Sequence, residues 1–225
     1  MRAPSESNRA AASDRAATRT WGGRTPEQRR AERRARLIEA ALEIWVDHGW
    51  AAVTMRGVCS RASLNDRYFY EHFADRDELL GVAWDEVCLE VFGELSAVVA
   101  ENLERAPLDI LREAISRAVE LQSGGHARIL LAEHAGSAVL EERRSKMLTD
   151  ATDLLIAAAR PYLRPGVDET SFRMSTLMGI GGFVELLAAW RAGALDVDAG
   201  RIIDHTSSHA ALLSAQYLPA EVIEG

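Results

Sequence analysis

Residues 53–80, VTMRGVCSRASLNDRYFYEHFADRDELL, constrain the fold of this 225-residue chain more than any other stretch. They read as two short helices joined by a tight turn, followed at once by the capped start of a third. Thr54 can N-cap the first helix, with Val58 and Ala62 facing inward and Cys59 beside them. Ser63 and Leu64 form the corner. Asn65 suits the N-cap of the second helix, worth roughly 1 kcal/mol over alanine. Phe69 and Phe73, four residues apart, give that helix a buried stripe. Its opposite face carries Asp66, Arg67, Tyr68 and Tyr70, groups that donate, accept or stack. Asp75 and Glu78 make a D-x-x-E start to the next helix, similar to a capping box. A helix-turn-helix of this layout is how a small domain pushes one helix into the DNA major groove.

The segment resembles the DNA-binding motif of the TetR/AcrR family of bacterial transcriptional regulators. That pattern is roughly T-x-x-x-I-A-x-x-A-G-V-S-x-x-x-L-Y-x-H-F, then a short polar link and two leucines. Thr54, Val58, Cys59, Ala62, Leu64, Asn65, Phe69, Tyr70, His72, Phe73, Leu79 and Leu80 hold its places in order and without a gap. Three departures stand out. Ser63 replaces the corner glycine, Asn65 replaces a serine but keeps the cap, and Asp66 stands where many relatives have lysine. An acid in the first turn suits the helix dipole yet repels phosphates; it is also able to accept from a cytosine amino group.

The net charge of −8 speaks against nucleic acid until its distribution is followed along the chain. Residues 1–36 hold ten arginines and four acids. Residues 1–80 hold 14 basic and 12 acidic groups, and residues 81–225 hold 12 and 22. The positive field therefore sits at the motif end and the rest is an acidic body. Cys59 and Cys88 give no disulfide framework, which fits a reducing cytosol and a cytoplasmic protein. The charge-free run Met174–Val184 in the second half is short of the ~20 residues a bilayer needs, so no membrane is expected.

The resulting expectation is an all-α chain: a disordered basic tail (1–24), a three-helix helix-turn-helix DNA-binding domain (25–75), and a helical effector-binding and dimerisation domain (76–225). Thr25-Pro26-Glu27-Gln28 combines an N-cap, a proline at the first position and a capping-box glutamine. Its helix carries the stripe Leu37, Ala40, Ala41, Ile44, Trp45 and ends at Gly49. Arg29, Arg30, Arg33, Arg34 and Arg36 line its first turns, as either a solvated face or a phosphate-contacting one. Further helices are expected over about 76–102, 108–121, 126–135, 140–162, 169–192 and 199–217. The last two, with W-x-x-G, an L-D-V link and a final amphipathic helix, also resemble the family, in which they form a four-helix interface between two subunits. Burial within one subunit is the alternative.

The resemblance implies a homodimer on a palindromic double-stranded operator, released by a small-molecule effector, a repressor rather than an activator. Thr54, Asn65, Asp66, Arg67, Tyr68, Tyr70, His72, Arg76 and Arg33 are the candidate DNA contacts. Thr54, Tyr70 and His72 are expected on phosphates, and Arg67 and Tyr68 at base edges. Candidate pocket residues are Trp84, Cys88, Phe92, His126, His134, Met147, Met174, Met178 and Phe183, types that equally build a core. His205 and His209, four apart, allow a metal pair, but no H-E-x-x-H frame or cysteine cluster accompanies them, and packing explains them better. No catalytic residue, cofactor or metal is expected. An effector-independent DNA-binding dimer that recruits a protein partner, and a helical enzyme, are the competing classes.

Overall fold

The structure, a computed structural model, describes residues 25–224, so the tail 1–24 lies outside the described residues. Helices account for the regular structure there, and no strand occurs among the described residues. Helix α1 (Pro26–His48) opens on a complete capping box: Thr25 Oγ1 accepts from the Gln28 N–H at 3.1 Å, and Gln28 Oε1 accepts from the Thr25 N–H at 2.8 Å. It stops at Gly49, whose φ of 82° favours a residue without a Cβ. Helices α2 (Met55–Arg61) and α3 (Asp66–Tyr70) follow, then α4 (Arg76–Glu101). The body adds α5 (Pro107–Leu121), α6 (Ala138–Ala159), α7 (Glu169–Arg191), α8 (Ala199–Ser214) and a short α9 (Ala220–Glu224). One expected helix is absent. Residues 126–135 form only a 3-10 turn over Ala127–Leu131, because Gly124-Gly125 before it and Gly136 after it leave no room for a longer α-helix.

The main core runs without a break from the motif into the body. Leu37, Val53, Val58, Phe69, Phe73, Leu79 and Leu80 are sealed from solvent, and Trp84, Val87, Ile129, Leu140 and Met147 continue the same packed cluster past residue 76. Burial of one such side chain contributes about 1.5–3 kcal/mol. At 1.5 Å per residue the 26-residue α4 is about 39 Å long, so a single rod joins the motif to the far end of the body. A second, smaller cluster of Val119, Leu187 and Ile202 holds α5, α7 and α8 together.

Helix α7 departs from expectation. The charge-free run Met174–Val184 is short, yet the whole helix is long and apolar enough, by length and composition, to cross a bilayer. Little of it is buried within the chain: Met174, Leu177 and Met178 are exposed, as is Leu212 on α8. A lone helix of this kind is weak evidence for a membrane span.

Candidate nucleic-acid interface

The turn between α2 and α3 explains how the second helix is presented. Thr54 Oγ1 accepts from the Gly57 N–H at 3.1 Å and starts α2. A Cβ on Gly57 would meet that oxygen at 3.0 Å, so a larger residue there would have to push the Thr54 side chain aside by a few tenths of an ångström. At the corner, Ser63 takes φ 51°, the sole non-glycine with positive φ among the described residues. The departure from glycine therefore costs about 1–2 kcal/mol of left-handed backbone. Asn65 then caps α3, its side-chain oxygen accepting from the Tyr68 N–H at 3.3 Å. Phe69 and Phe73 pack ring to ring at 5.7 Å in the core and fix the roll of the helix. With that side buried, Asn65, Asp66 and Arg67 face solvent and Tyr70 is 61% exposed.

Not all candidate contacts are equally available. Thr54 is exposed but its hydroxyl is used as a cap. Tyr68 is half-buried beneath the Arg33 guanidinium, 4.6 Å from its ring centre. His72 is half-buried, with Nε2 sealed from solvent and unpartnered. Burial first, then the Arg30 and Arg33 charges, hold its imidazole below the ordinary value, so it is neutral at pH 7. Arg76 is turned inward: its Nη2 donates to the Trp50 carbonyl at 2.7 Å, its Nε donates to the Val53 carbonyl, and it lies over the Trp50 ring. That arginine ties α4 to the segment before α2.

The arginines of α1 are largely bolts as well. Arg30 donates to the Glu71 carbonyl at 3.1 Å, Arg33 lies 3.8 Å from the Glu71 carboxylate, Arg34 pairs with Glu86 at 3.1 Å, and Arg36 donates to the Ala62 carbonyl. They fasten α2, α3 and α4 to α1. Sequence reasoning did not single out Glu71, whose carboxylate also holds Arg67 at 3.2 Å; the i, i+4 spacing on one helix edge was the available signal. It also passed over Arg56, which is exposed at the start of α2 with no ion pair among the described residues.

In the body a cavity of about 470 Å³ lies between the ends of α4 and α6 and the facing sides of α5, α7 and α8. Of the candidate pocket residues, only Phe183 lines it. Trp84, His134 and Met147 are instead buried in the main core, where His134 stands edge-on to Trp84 at 4.8 Å and to Trp45 at 5.9 Å. Burial pulls the His134 imidazole below its ordinary value. Cys88 and Phe92 pack against the same core, burial pushes the Cys88 thiol up to about 12, and Met178 points to solvent. His126 lies 3.8 Å from Glu39 of α1, and Met174 is exposed. His205 is exposed, while His209 borders the cavity.

Residues 37–83 match the family described as bacterial regulatory proteins, tetR family. Over 101 residues the chain is 27% identical to the HTH-type transcriptional repressor Rv3405c of Mycobacterium tuberculosis, covering 45% of this chain and 46% of the relative. Over 109 residues it is 34% identical to the HTH-type transcriptional activator FasR of Mycolicibacterium smegmatis, covering 48% of each. The chain thus matches about half the length of these curated relatives. Among solved structures it superposes on SmeT, the repressor of the Stenotrophomonas maltophilia multidrug efflux pump SmeDEF, with a TM-score of 0.63 and 22% identity. That comparison covers 84% of this chain and 92% of SmeT, and SmeT has also been solved with triclosan. The likeness extends the shared all-α fold through the body.

Proposed function

Because this chain belongs to the tetR family of bacterial regulatory proteins, we propose that it is a cytoplasmic, homodimeric transcriptional regulator that reads a palindromic operator and leaves it when a small molecule enters the body. The carrying observation is α3: a helix rolled by the buried Phe69 and Phe73 so that Asn65, Asp66, Arg67 and Tyr70 face outward together. Phosphate contacts position such a helix and base contacts specify sequence. Tyr70 and the unpaired Arg56 serve phosphates, and Arg67 reads a base edge once it exchanges Glu71 for guanine. Asp66 accepts from a cytosine amino group or simply starts the helix. Arg33 and Arg76 act by bracing the motif, and His72 by packing beside Phe73 at 6.3 Å. The domain division at residues 25–75 and 76–225 is kept in this scheme as a division of labour across a continuous core.

The exposed apolar residues of α7 and α8, Met174, Leu177, Met178 and Leu212, supply the surface on which a second copy docks. The cavity favours an effector over a body that only recruits a protein. One end of α4 packs in the motif core, while Val99 and Leu103 at its other end line the cavity. A ligand that favours one placement of α4 changes the spacing of the two reading helices, and binding shifts with the population. Repression is the preferred direction, by steric exclusion at the operator. Duplexes enriched from a random pool by the protein test the reading: they bind with a steep salt dependence and are released by an effector. No enriched sequence would leave the family likeness without its function here.

A further inference from the structure

Resting on the reading of the cavity as an effector site, we infer that it takes a neutral, mostly hydrocarbon molecule of about 16 heavy atoms, and refuses the same carbon skeleton when it carries a carboxylate or an ammonium. The size follows from the 470 Å³ volume at roughly 30 Å³ per heavy atom, the share a water takes in the liquid.

The charge state follows from the walls. Charged residues make up 27% of the chain, yet no Asp, Glu, Lys or Arg among the described residues lines the cavity. Its sides are mostly Leu, Ile, Ala, Pro and Phe. The charges on the surrounding helices are spent on one another instead. Arg112 of α5 meets Asp204 of α8 at 2.5 Å, Arg117 of α5 meets Glu94 of α4 at 2.7 Å, and Arg173 of α7 meets Asp153 of α6 at 2.5 Å. An ion drawn inside would therefore lose its hydration and find no counter-ion, a loss that apolar contact does not offset.

The polar groups of the lining are few and mostly engaged. Ser175 Oγ and Tyr217 OH lie 2.7 Å apart, and Tyr217 OH donates to the Ser171 carbonyl at 3.2 Å, so Ser175 donates to Tyr217 and both donors are used inside the protein. Thr176 donates back along its own helix to the Phe172 carbonyl at 2.8 Å. The Thr206 oxygen is sealed off and does not face the void. That leaves the hydroxyls of Tyr162 and Ser214, which make no hydrogen bond among the described residues, and the exposed His209. Two neutral hydroxyls suit an alcohol or a carbonyl; they do not replace the hydration shell of an ion.

Fluorescence of the neutral probe N-phenyl-1-naphthylamine on the full chain, without DNA, tests this through displacement by 1-dodecanol, dodecanoate and dodecylammonium, each below its micelle concentration. At about pH 7.5 both of the latter are ionised. We expect dodecanol to displace at concentrations roughly tenfold or more below either ion. Ala114→Phe on α5 and Ala158→Phe on α6, both in the lining, should each weaken the probe at least about fivefold by filling the void, with circular dichroism unchanged. Should either variant fail to fold, the ratio of dodecanol to the two ions on the unaltered chain still decides. Absence of probe binding, displacement by dodecanoate or dodecylammonium at the dodecanol concentration, or full probe binding by both folded variants, which would put the probe on the exposed face of α7 and α8, would each overturn the inference. Operator binding is measured separately. Its absence with this ligand preference intact would strike the regulator reading alone, and operator release by the ions rather than by dodecanol would strike the ligand chemistry alone.

Discussion

The reading head and the body of this chain solve the burial problem differently. In the head, Leu37, Val53, Val58, Phe69 and Leu79 show no exposed surface at all, and each short helix has its own cap. In the body, the 23-residue α7 buries only Thr176 and Leu187, the 16-residue α8 buries only Ile202, and Met178 and Leu212 are 75% and 70% exposed. The head is complete within one chain. The body leaves apolar surface on its outside and a cavity on its inside, the two places where the proposed second copy and effector would complete it. Buried packing is thus concentrated in the head and thinner on α7 and α8.

The largest effect should follow from emptying the head. Phe69→Ala should lower unfolding free energy by about 3–5 kcal/mol in urea titrations and abolish operator binding, since the same ring sets the roll of α3. A loss below 1 kcal/mol would remove the contrast between the regions. Met178→Glu together with Leu212→Glu should leave the fold intact by circular dichroism but convert a dimer to a monomer in sedimentation; a surviving dimer would place the interface elsewhere. Arg67→Ala should cost about 1–3 kcal/mol at one base position and relax preference there, while Tyr70→Ala weakens all sequences alike. Gel-shift titrations across single-base variants distinguish the two.

Two smaller effects sharpen the comparison. His134 and His72 both have imidazoles held below the ordinary value, so the folded chain binds fewer protons than the unfolded one. Their contribution is complete above the unfolded value near 6.5 and is lost as pH falls below it. The urea midpoint should fall between pH 7.5 and 5.5, and His134→Phe should flatten that slope. Ser63→Gly should stabilise by roughly 0.5–1 kcal/mol, as relief of the left-handed strain exceeds glycine's extra unfolded-state entropy.

Much of the head was legible in the order of residues, because its determinants are local. A cap such as Thr25, Thr54, Asn65 or Asp75 acts within four residues, and the Phe69/Phe73 stripe is set by helix periodicity. The roles of Arg76 and Arg33 were not legible: whether a guanidinium meets a phosphate or the Trp50 carbonyl depends on partners 26 residues away. The cavity was hidden for a related reason. Trp84 and Phe183 are both bulky apolar residues on helices, and only the packing of α5 against α8 decides that one fills a core while the other borders a void. The turn at 127–131 was misjudged because the glycines on both sides act together to shorten it.

The proposal that two copies of α3 are held at a fixed gap by the body is tested most directly by selecting duplexes from a random library and weighing the resulting complex. The account predicts an inverted repeat with half-site centres about one helical turn, or a whole multiple of it, apart, bound by an even number of chains, two per palindrome. Enrichment of an asymmetric sequence carried by a single chain would contradict it.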